Sequence, residues 1–301
     1  MNKRLKKWLI LGSLLLIILL ITFFLLFNKH KPTINGYSSS YLERPAPDYR
    51  MQLNSTNGSV EIYSLNFNSK KFLDYYQLVY GLLFIPKDMK DVPGIVMLPG
   101  GGVAKEGFTT RATELANSGY AVLVIDQRGL GETGGPYPSL EDDYQLFASG
   151  KESIQHLGVY DALAASDVLR NIKNVDKNNI AIIGESMGGR YAIIATALDK
   201  KLKGVIAISS SGFHIKNDSN PYTPYLLSID PDNYISSISP RPVLMLQGDN
   251  DSIVKLEDAQ YTFNLAKEPK RFFIAEGCIH GYCEKMSEEF KKDLNILFEN
   301  N

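Results

Sequence analysis

The chain has 301 residues, 44% apolar and 22% charged, which is the composition of a globular protein and excludes a disordered or fibrous one. Its net charge is −1, and without the four cations near the N-terminus 28 basic and 33 acidic side chains remain. This balance lacks the basic surface that binding to nucleic acid requires, so no nucleic-acid partner is expected.

An uncharged run of twenty residues, 8–27, is the first marked element, and sixteen of its residues are Leu, Ile or Phe. A helix of this length spans about 30 Å, the thickness of the hydrocarbon core of a bilayer. The run is longer than the apolar region of a signal peptide, and no small-residue cleavage pattern follows it. The sequence predicts a transmembrane signal-anchor helix over 8–27, with a cleaved signal as the alternative.

Four cations within residues 3–7 precede this span, whereas only two, at 29 and 31, follow it closely. The positive-inside rule therefore makes residues 1–7 a cytoplasmic tail and places the rest of the chain outside the cytoplasm. The lipid bilayer is an expected partner through residues 8–27. Residues 28–50, rich in Ser, Pro and Tyr and without periodicity, are predicted to be a stalk.

Residues 51–301 are predicted to form one α/β domain. The pattern predicts two opening antiparallel strands at 60–67 and 77–85. Short apolar runs typical of strands covered on both faces follow at 94–98, 121–125, 180–183, 204–208, 243–246 and 272–274. Helices are predicted between them at 107–118, 156–173, 187–198, 255–267 and 285–299. The alternation favours a mostly parallel central sheet of about eight strands with helices on both faces.

Ser186 lies in the stretch 184–189, Gly-Glu-Ser-Met-Gly-Gly, between a predicted strand and a predicted helix. A serine on such a tight turn adopts strained backbone angles and needs small neighbours, which Gly184, Gly188 and Gly189 supply. The N-terminus of the following helix favours a developing oxyanion. Ser186 is therefore predicted to be a nucleophile that attacks an ester or amide carbonyl.

A serine hydroxyl needs a base, and the chain has four histidines. His30 adjoins the membrane span, His156 starts a helix, and His214 follows the strand after the nucleophile, where it could line a pocket. His280 lies between two glycines in a loop after the last strand. It is the predicted base, and the alternative is a solvated loop histidine.

The base needs an acid on its second nitrogen to fix its tautomer. The strand at 243–246 runs into an acidic turn in which Asp249 and Asp251 compete for this role. Asp251, three residues after Gly248, is the predicted acid. Asp249 is expected to form the turn by bonding local backbone.

An oxyanion hole needs two convergent N–H donors. The N–H of Met187 is the first. The loop 99–103, Pro-Gly-Gly-Gly-Val, is expected to supply the second from Gly101, because glycine lets backbone approach a ligand closely. The alternative is that these glycines form only a flexible turn.

Two insertions, 127–155 and 211–240, are predicted at carboxyl ends of strands, where open α/β sheets bind ligands. The second is predicted to be a small cap-like segment. Their aromatic residues either line a pocket or pack beneath the loops. The candidate substrate-lining residues are Tyr137, Phe213, Tyr222 and Tyr225.

Cys278 and Cys283 are the only cysteines, and they bracket His280. Outside the cytoplasm they could form a disulfide that stiffens the histidine loop, and the alternative is two free thiols. Two cysteines and one histidine leave a zinc shell incomplete, so no metal is expected. No cofactor is expected either.

Four segments of the chain resemble the α/β-hydrolase superfamily, and within it the dienelactone-hydrolase, acetyl-xylan-esterase and prolyl-oligopeptidase-type branch. They are 98–102, 126–131, 184–189 and 242–251. The resemblance covers nearly all of residues 55–300. It implies an α/β-hydrolase fold and a triad of Ser186, Asp251 and His280 in that chain order.

The chain departs from these relatives in two ways. Many of them have His-Gly where this chain has Pro99-Gly100. The oligopeptidases also carry a large extra domain, and the roughly 50 residues before the core leave no room for one. We expect a membrane-anchored serine hydrolase that cleaves carboxylic esters through an acyl-enzyme. A peptidase or an acyltransferase is the enzymatic alternative, and a catalytically silent adhesion protein is the non-enzymatic one.

Overall fold

The computed structural model of the chain describes residue 37 and residues 39–75, 77–216 and 219–298. The predicted cytoplasmic tail 1–7 and membrane span 8–27 lie outside these residues. In the described part of the chain, no helix is long and apolar enough to cross a membrane.

The chain divides into two units between Glu43 and Arg44. In the first unit, a 3-10 helix spans Ser39–Tyr41, and the rings of Tyr37 and Tyr41 meet edge to face with their centroids 4.9 Å apart. Every strand and α-helix described below belongs to the second unit.

The second unit is built on a nine-stranded sheet with the order β1-β2-β3-β5-β4-β6-β7-β8-β9. The pairs β1–β2, β2–β3 and β3–β5 are antiparallel, and all pairs from β5 to β9 are parallel. The strands are β1 (Tyr49–Asn57), β2 (Val60–Asn68), β3 (Leu78–Pro86), β4 (Val92–Leu98), β5 (Ala121–Ile125), β6 (Val175–Glu185), β7 (Val205–Ile208), β8 (Val243–Gly248) and β9 (Lys270–Ala275).

Seven α-helices accompany the sheet in the described residues. They are α1 (Thr109–Asn117), α2 (Leu140–Ala148), α3 (Ile154–Asn171), α4 (Met187–Leu198), α5 (Thr223–Ile229), α6 (Leu256–Leu265) and α7 (Ser287–Phe298).

The residues of β4 show how both faces of the sheet are covered. Ile95 belongs to a buried apolar cluster that also contains Leu115 of α1 and Leu294 of α7. Its neighbour Gly94 points to the opposite face, where an added Cβ would touch Leu169 of α3. Both faces are thus packed against helices, which is why the parallel strands are continuous apolar runs.

The order of the strands reverses between β4 and β6. From β4 the chain moves to β5 on one side, and it then returns to place β6 on the other side. Leu98 and Gly184 are register partners at the carboxyl ends of these two strands. The loop after β4 and the turn after β6 therefore meet at a topological switch point, where ligands bind in open α/β sheets.

The structure corrects the predicted architecture in two places and adds detail in a third. The sheet has nine strands instead of about eight, because the exposed strand β1 has a polar sequence and begins at Tyr49, inside the predicted stalk 28–50. The helix α2 lies in a segment predicted to be a loop, although Ser139 caps its N-terminus by accepting the N–H of Asp142. The helix α5 lies in the predicted cap-like segment 211–240.

His156, on the buried side of α3, is a structural residue. Its Nε2 lies 2.8 Å from the hydroxyl of Ser228, which itself donates to the carbonyl of Tyr225. The hydroxyl therefore accepts from Nε2–H, which fixes a neutral tautomer. Burial lowers the pKa of His156 to about 4, against the opposing effect of its hydrogen bond.

The lowered pKa predicts acid destabilisation. Between about pH 6.5 and 4 the unfolded chain binds a proton at this position and the folded chain does not, so stability falls as the pH falls. The free energy of unfolding should decrease by up to about 1.4 kcal/mol per pH unit in this window. Urea unfolding of wild type and His156→Gln at several pH values measures it, and identical slopes for the two proteins would contradict the assignment.

Candidate active site

Ser186 occupies the single residue between the end of β6 and the start of α4. Its backbone lies at φ 55° and ψ −118°, which costs a non-glycine residue free energy and exposes the side chain at the top of the turn. Its N–H donates to Ile208 at 2.9 Å, and its carbonyl accepts the hydroxyl of Ser210 at 2.9 Å. These bonds to β7 and the loop after it hold the strained turn.

The glycines around Ser186 are required by close backbone approaches. A Cβ on Gly184 would overlap the carbonyl of Gly188, and one on Gly188 would overlap the carbonyl of Leu98. The turn after β6 is thus pressed against the end of β4. Larger residues at either position would force the two apart.

The loop after β4 lies directly beside Ser186. A Cβ placed on Gly100 would lie 3.3 Å from the Cβ of Ser186. Among the described residues, the N–H groups of Gly101 and Met187 have no hydrogen-bond acceptor. These are the two donors that the sequence predicted for an oxyanion hole, and both are available for an incoming acceptor.

Two residues of the 126–131 segment hold this loop in place. The buried Asp126 accepts the N–H of Lys105 at 2.8 Å and its ammonium group at 2.9 Å. The side-chain amide of Gln127 donates to the carbonyl of Pro99. The segment 126–131 therefore positions the glycine loop. Arg128, which follows Gln127 in the same segment, forms a buried ion pair with Asp161 at 2.6 Å.

Asp251 and His280 are brought together from the ends of β8 and β9. The Nδ1 of His280 lies 2.8 Å from Oδ2 of Asp251, whose side chain is fully buried. The other oxygen, Oδ1, accepts the N–H groups of Ile253 and Val254, each at 2.9 Å. Burial alone would raise the pKa of Asp251, but these N–H groups and His280 together hold it below its ordinary value. The carboxylate is ionised at neutral pH and oriented toward the imidazole.

Asp249 bonds backbone as expected, but the backbone belongs to a distant turn and not to its own. Its Oδ1 accepts the N–H of Gly277 at 2.6 Å, which joins the turn after β8 to the turn after β9. Within the described chain Asp249 forms no hydrogen bond with His280, whereas Asp251 does, so Asp251 is the partner of the histidine.

Ser186 and His280 do not share a hydrogen bond in this structure. Among the described residues, neither the Ser186 hydroxyl nor Nε2 of His280 has a hydrogen-bond partner. Such contacts are often long in the absence of substrate and tighten in its complex.

Contacts on either side of His280 and Ser186 nevertheless join their loops. Gly281 donates its N–H to the hydroxyl of Ser209 at 2.9 Å, and Tyr282 donates its N–H to Glu185 at 3.3 Å. Glu185 also pairs with Arg111 at 3.3 Å, and the guanidinium of Arg111 lies 3.9 Å from the ring centroid of Tyr282. Sequence reasoning missed Arg111 and Glu185, because only the fold brings α1 to the nucleophile turn.

Cys278 and Cys283 form a disulfide across the His280 loop, with their Cα atoms 6.2 Å apart. The two-free-thiol alternative is therefore wrong for this structure. The bridge closes the segment that contains His280 and so limits the conformations open to it.

Reduction of this disulfide should destabilise the domain. Closing so short a loop contributes about 2 kcal/mol by chain entropy, which corresponds to a fall in Tm of roughly 5 °C on reduction. Thermal unfolding with and without dithiothreitol measures the effect. The double variant Cys278→Ala/Cys283→Ala is the control and should be insensitive to reductant; equal insensitivity of wild type would refute the prediction.

The four candidate substrate-lining residues separate into two groups. Tyr137 is exposed, and its hydroxyl lies 3.2 Å from the sulfur of Met187, next to the predicted oxyanion hole. Phe213 is partly exposed beneath the guanidinium of Arg190 at 4.5 Å.

The other two residues hold the insertions together. Tyr222 stacks on Tyr144 at 3.9 Å and donates to Glu141. The prediction for Tyr225 is wrong: the residue is 0% exposed, and its hydroxyl donates to Asp143 at 2.7 Å. Its ring packs between α2 and α5 instead of lining a pocket, because the two insertions associate with one another.

His214, the other histidine near the site, is engaged elsewhere. Its Nδ1 lies 2.7 Å from Asp232, and its Nε2 lies 3.3 Å from Asp258. Among the described residues no group of three or more His, Cys, Asp or Glu side chains could hold a metal ion.

The chain is similar to several known proteins. The family model "Acetyl xylan esterase (AXE1)" matches residues 42–211, which is more than half of the chain. The chain belongs to the acetyl xylan esterase family. The predicted superfamily is thereby confirmed. The matched part of the chain contains Ser186 and the glycine loop, whereas Asp251 and His280 lie beyond it.

The chain is also similar to individual curated proteins over part of their length. The uncharacterized protein YfhR of Escherichia coli O157:H7 is 31% identical over 139 residues, which cover 44% of this chain and 49% of that protein. The chain thus spans about half the length of this curated relative.

Two solved structures share the fold. Acetyl xylan esterase 1 from Thermoanaerobacterium sp. JW/SL YS485 superposes with a TM-score of 0.69 at 16% identity, covering 83% of this chain and 88% of that one. Acetyl xylan esterase from Paenibacillus sp. R4 has a TM-score of 0.68 at 19% identity, covering 90% and 98%. At these identities the likeness establishes an α/β-hydrolase fold.

Proposed function

We propose that this chain is a serine hydrolase that cleaves carboxylic esters. The observation that carries the proposal is the hydrogen bond between buried Asp251 and Nδ1 of His280, at the same edge of the sheet as the strained Ser186 turn. A buried, ionised carboxylate fixes the imidazole tautomer in which Nε2 is unprotonated. Nε2 can then accept a proton from a serine.

The reaction follows from these positions. The Ser186 hydroxyl attacks the ester carbonyl carbon while its proton passes to Nε2 of His280. The carbonyl oxygen becomes an oxyanion that accepts hydrogen bonds from the N–H groups of Met187 and Gly101. Collapse of this intermediate breaks the bond to the alcohol, which leaves with the proton from His280. Water then attacks the acyl-enzyme by the same route and releases the acid.

Membership in the acetyl xylan esterase family supports an ester as substrate over an amide. The solved structures named above are also titled acetyl xylan esterases. For this chain a short acyl ester is the substrate class that we propose.

We further propose that residues 8–27 anchor the enzyme in a membrane, with residues 1–7 in the cytoplasm and the catalytic domain on the outer side. The charge distribution around the apolar run supports this orientation. The disulfide between Cys278 and Cys283 supports it independently, because such bonds persist in oxidising compartments.

A fluorophosphonate probe tests the catalytic proposal. The full chain in detergent is treated with the probe, digested and mapped by mass spectrometry, and the adduct is expected on Ser186. A panel of acyl esters and aminoacyl amides then compares ester hydrolysis with amide hydrolysis. Absence of an adduct on Ser186 in folded protein, or turnover of the amides alone, would overturn the proposal.

A further inference from the structure

Arg190, at the edge of the candidate site, has no ionic partner among the residues that the structure describes. It lies in the first turn of α4, four residues after Ser186, and its N–H donates to the carbonyl of Ser186 at 3.2 Å. Its side chain is partly buried, yet it forms no ion pair or side-chain hydrogen bond with any residue of the described chain. Its guanidinium lies over the ring of Phe213, 4.5 Å from the ring centroid.

The other buried or half-buried arginines of the described chain are all engaged. Five form ion pairs with carboxylates, and one donates to backbone carbonyl groups. They are Arg44, Arg111, Arg128, Arg170 and Arg271 in the first group and Arg241 in the second. Arg190 is the exception: it is only partly buried, and no carboxylate or carbonyl group of the described chain accepts from its side chain, so its guanidinium is open to an anionic ligand.

The position of Arg190 on its helix places it close to the candidate nucleophile. Met187 and Arg190 are three residues apart and therefore share one side of α4. Met187 contacts Tyr137 of the first insertion, and Arg190 contacts Phe213 of the second. The guanidinium thus lies over a ring of the second insertion, and its residue is one helical turn from Met187, whose N–H is a predicted oxyanion donor.

The acidic residues near Arg190 are already occupied. Asp230 accepts the N–H groups of Phe213 and Ile215, and Asp232 pairs with His214. Glu185, on the other side of Ser186, pairs with Arg111. No carboxylate of the described chain therefore neutralises Arg190, and an anion from outside can do so.

We propose that Arg190 binds a carboxylate carried by the substrate, so that the enzyme prefers esters with an anionic group near the scissile bond. This inference rests on the proposed function. The planar guanidinium offers paired N–H donors to a carboxylate, and stacking on Phe213 fixes the plane in which they lie. The carboxylate can belong to the acyl half or to the alcohol half of the ester.

Matched pairs of esters test the two halves. For the acyl half, mono-4-nitrophenyl succinate is compared with neutral 4-nitrophenyl butyrate. For the alcohol half, 4-acetoxybenzoate is compared with its methyl ester. The quantity measured is the ratio of kcat/KM for the charged ester to kcat/KM for the neutral ester, with the full chain in detergent.

Arg190→Met should lower this ratio by about ten- to hundredfold for at least one pair, the range expected for a charge-assisted hydrogen bond. Arg190→Glu should lower it further, and Arg190→Lys should lower it less. Arg50→Met, which removes an exposed positive charge from β1, is the matched control and should leave the ratio as in wild type. In wild type the ratio should also fall as ionic strength rises, a readout that needs no variant.

The outcomes separate the two proposals. If Ser186 takes the fluorophosphonate in wild type and in Arg190→Met, but the ratio is the same in both proteins for both pairs, the inference about Arg190 is wrong and the proposed function stands. If wild type hydrolyses no ester and takes no adduct, the proposed function fails and the inference fails with it.

Discussion

Ser186→Ala is expected to lower kcat for ester hydrolysis by about 10⁴- to 10⁶-fold and to abolish the fluorophosphonate adduct. Without the hydroxyl no acyl-enzyme can form, and the N–H groups of Met187 and Gly101 can stabilise only the attack of water. Steady-state kinetics on a neutral acetyl ester measures the loss. Alanine removes only the hydroxyl oxygen, and the Ser186 hydroxyl has no hydrogen-bond partner among the described residues, so the fold should be retained.

Ser118→Ala provides the matched control for this experiment. Ser118 is exposed at the end of α1, and its hydroxyl bonds only to the carbonyl of Glu114. This variant should keep the activity and the adduct of wild type. A Ser186→Ala protein that hydrolyses the ester within tenfold of wild type would show that another residue is the nucleophile.

Asp251→Asn should lower kcat by about 10⁴-fold. The asparagine oxygen can still accept from Ile253 and Val254, so the turn after β8 is preserved. Its NH₂ group would then face Nδ1 of His280 and donate to it. That contact stabilises the tautomer protonated on Nε2, which cannot accept the proton of Ser186.

Asp249→Asn is the control that discriminates between the two acids of the turn. Its side chain bonds the backbone of Gly277, and an asparagine oxygen can accept the same bond. Activity is therefore expected within about threefold of wild type, as for surface substitutions with small effects on stability. Loss of activity in Asp249→Asn together with retention in Asp251→Asn would reverse the assignment of the acid.

Local sequence patterns accounted for most of the framework. The strand at 121–125 and the helix at 187–198 have the predicted bounds, because a continuous apolar run and a glycine-rich turn are local signals. The turn at Ser186 was equally readable, since its constraints arise from residues within a few positions of it. The membrane span 8–27, which lies outside the described residues, stays a prediction.

The elements that the sequence did not predict depend on contacts between distant segments. β1 is polar and exposed, so only its pairing with β2 makes it a strand. Tyr225 is an aromatic residue in an insertion, and nothing near it in the sequence shows that Asp143, 82 residues away, accepts its hydroxyl. A pocket residue and a packing residue have the same local pattern here.

The sequence by itself determined that Ser186 stands on a strained turn after a buried strand, with Asp251 and His280 downstream in the order of a hydrolase triad. The tertiary structure decided which groups meet: Asp251 with His280, Glu185 with Arg111, and, within the part of the chain that the structure describes, Arg190 with no carboxylate. The physical reason is one of range. Backbone strain and periodicity act over a few residues, whereas hydrogen bonds and ion pairs are set by which strands the sheet places side by side.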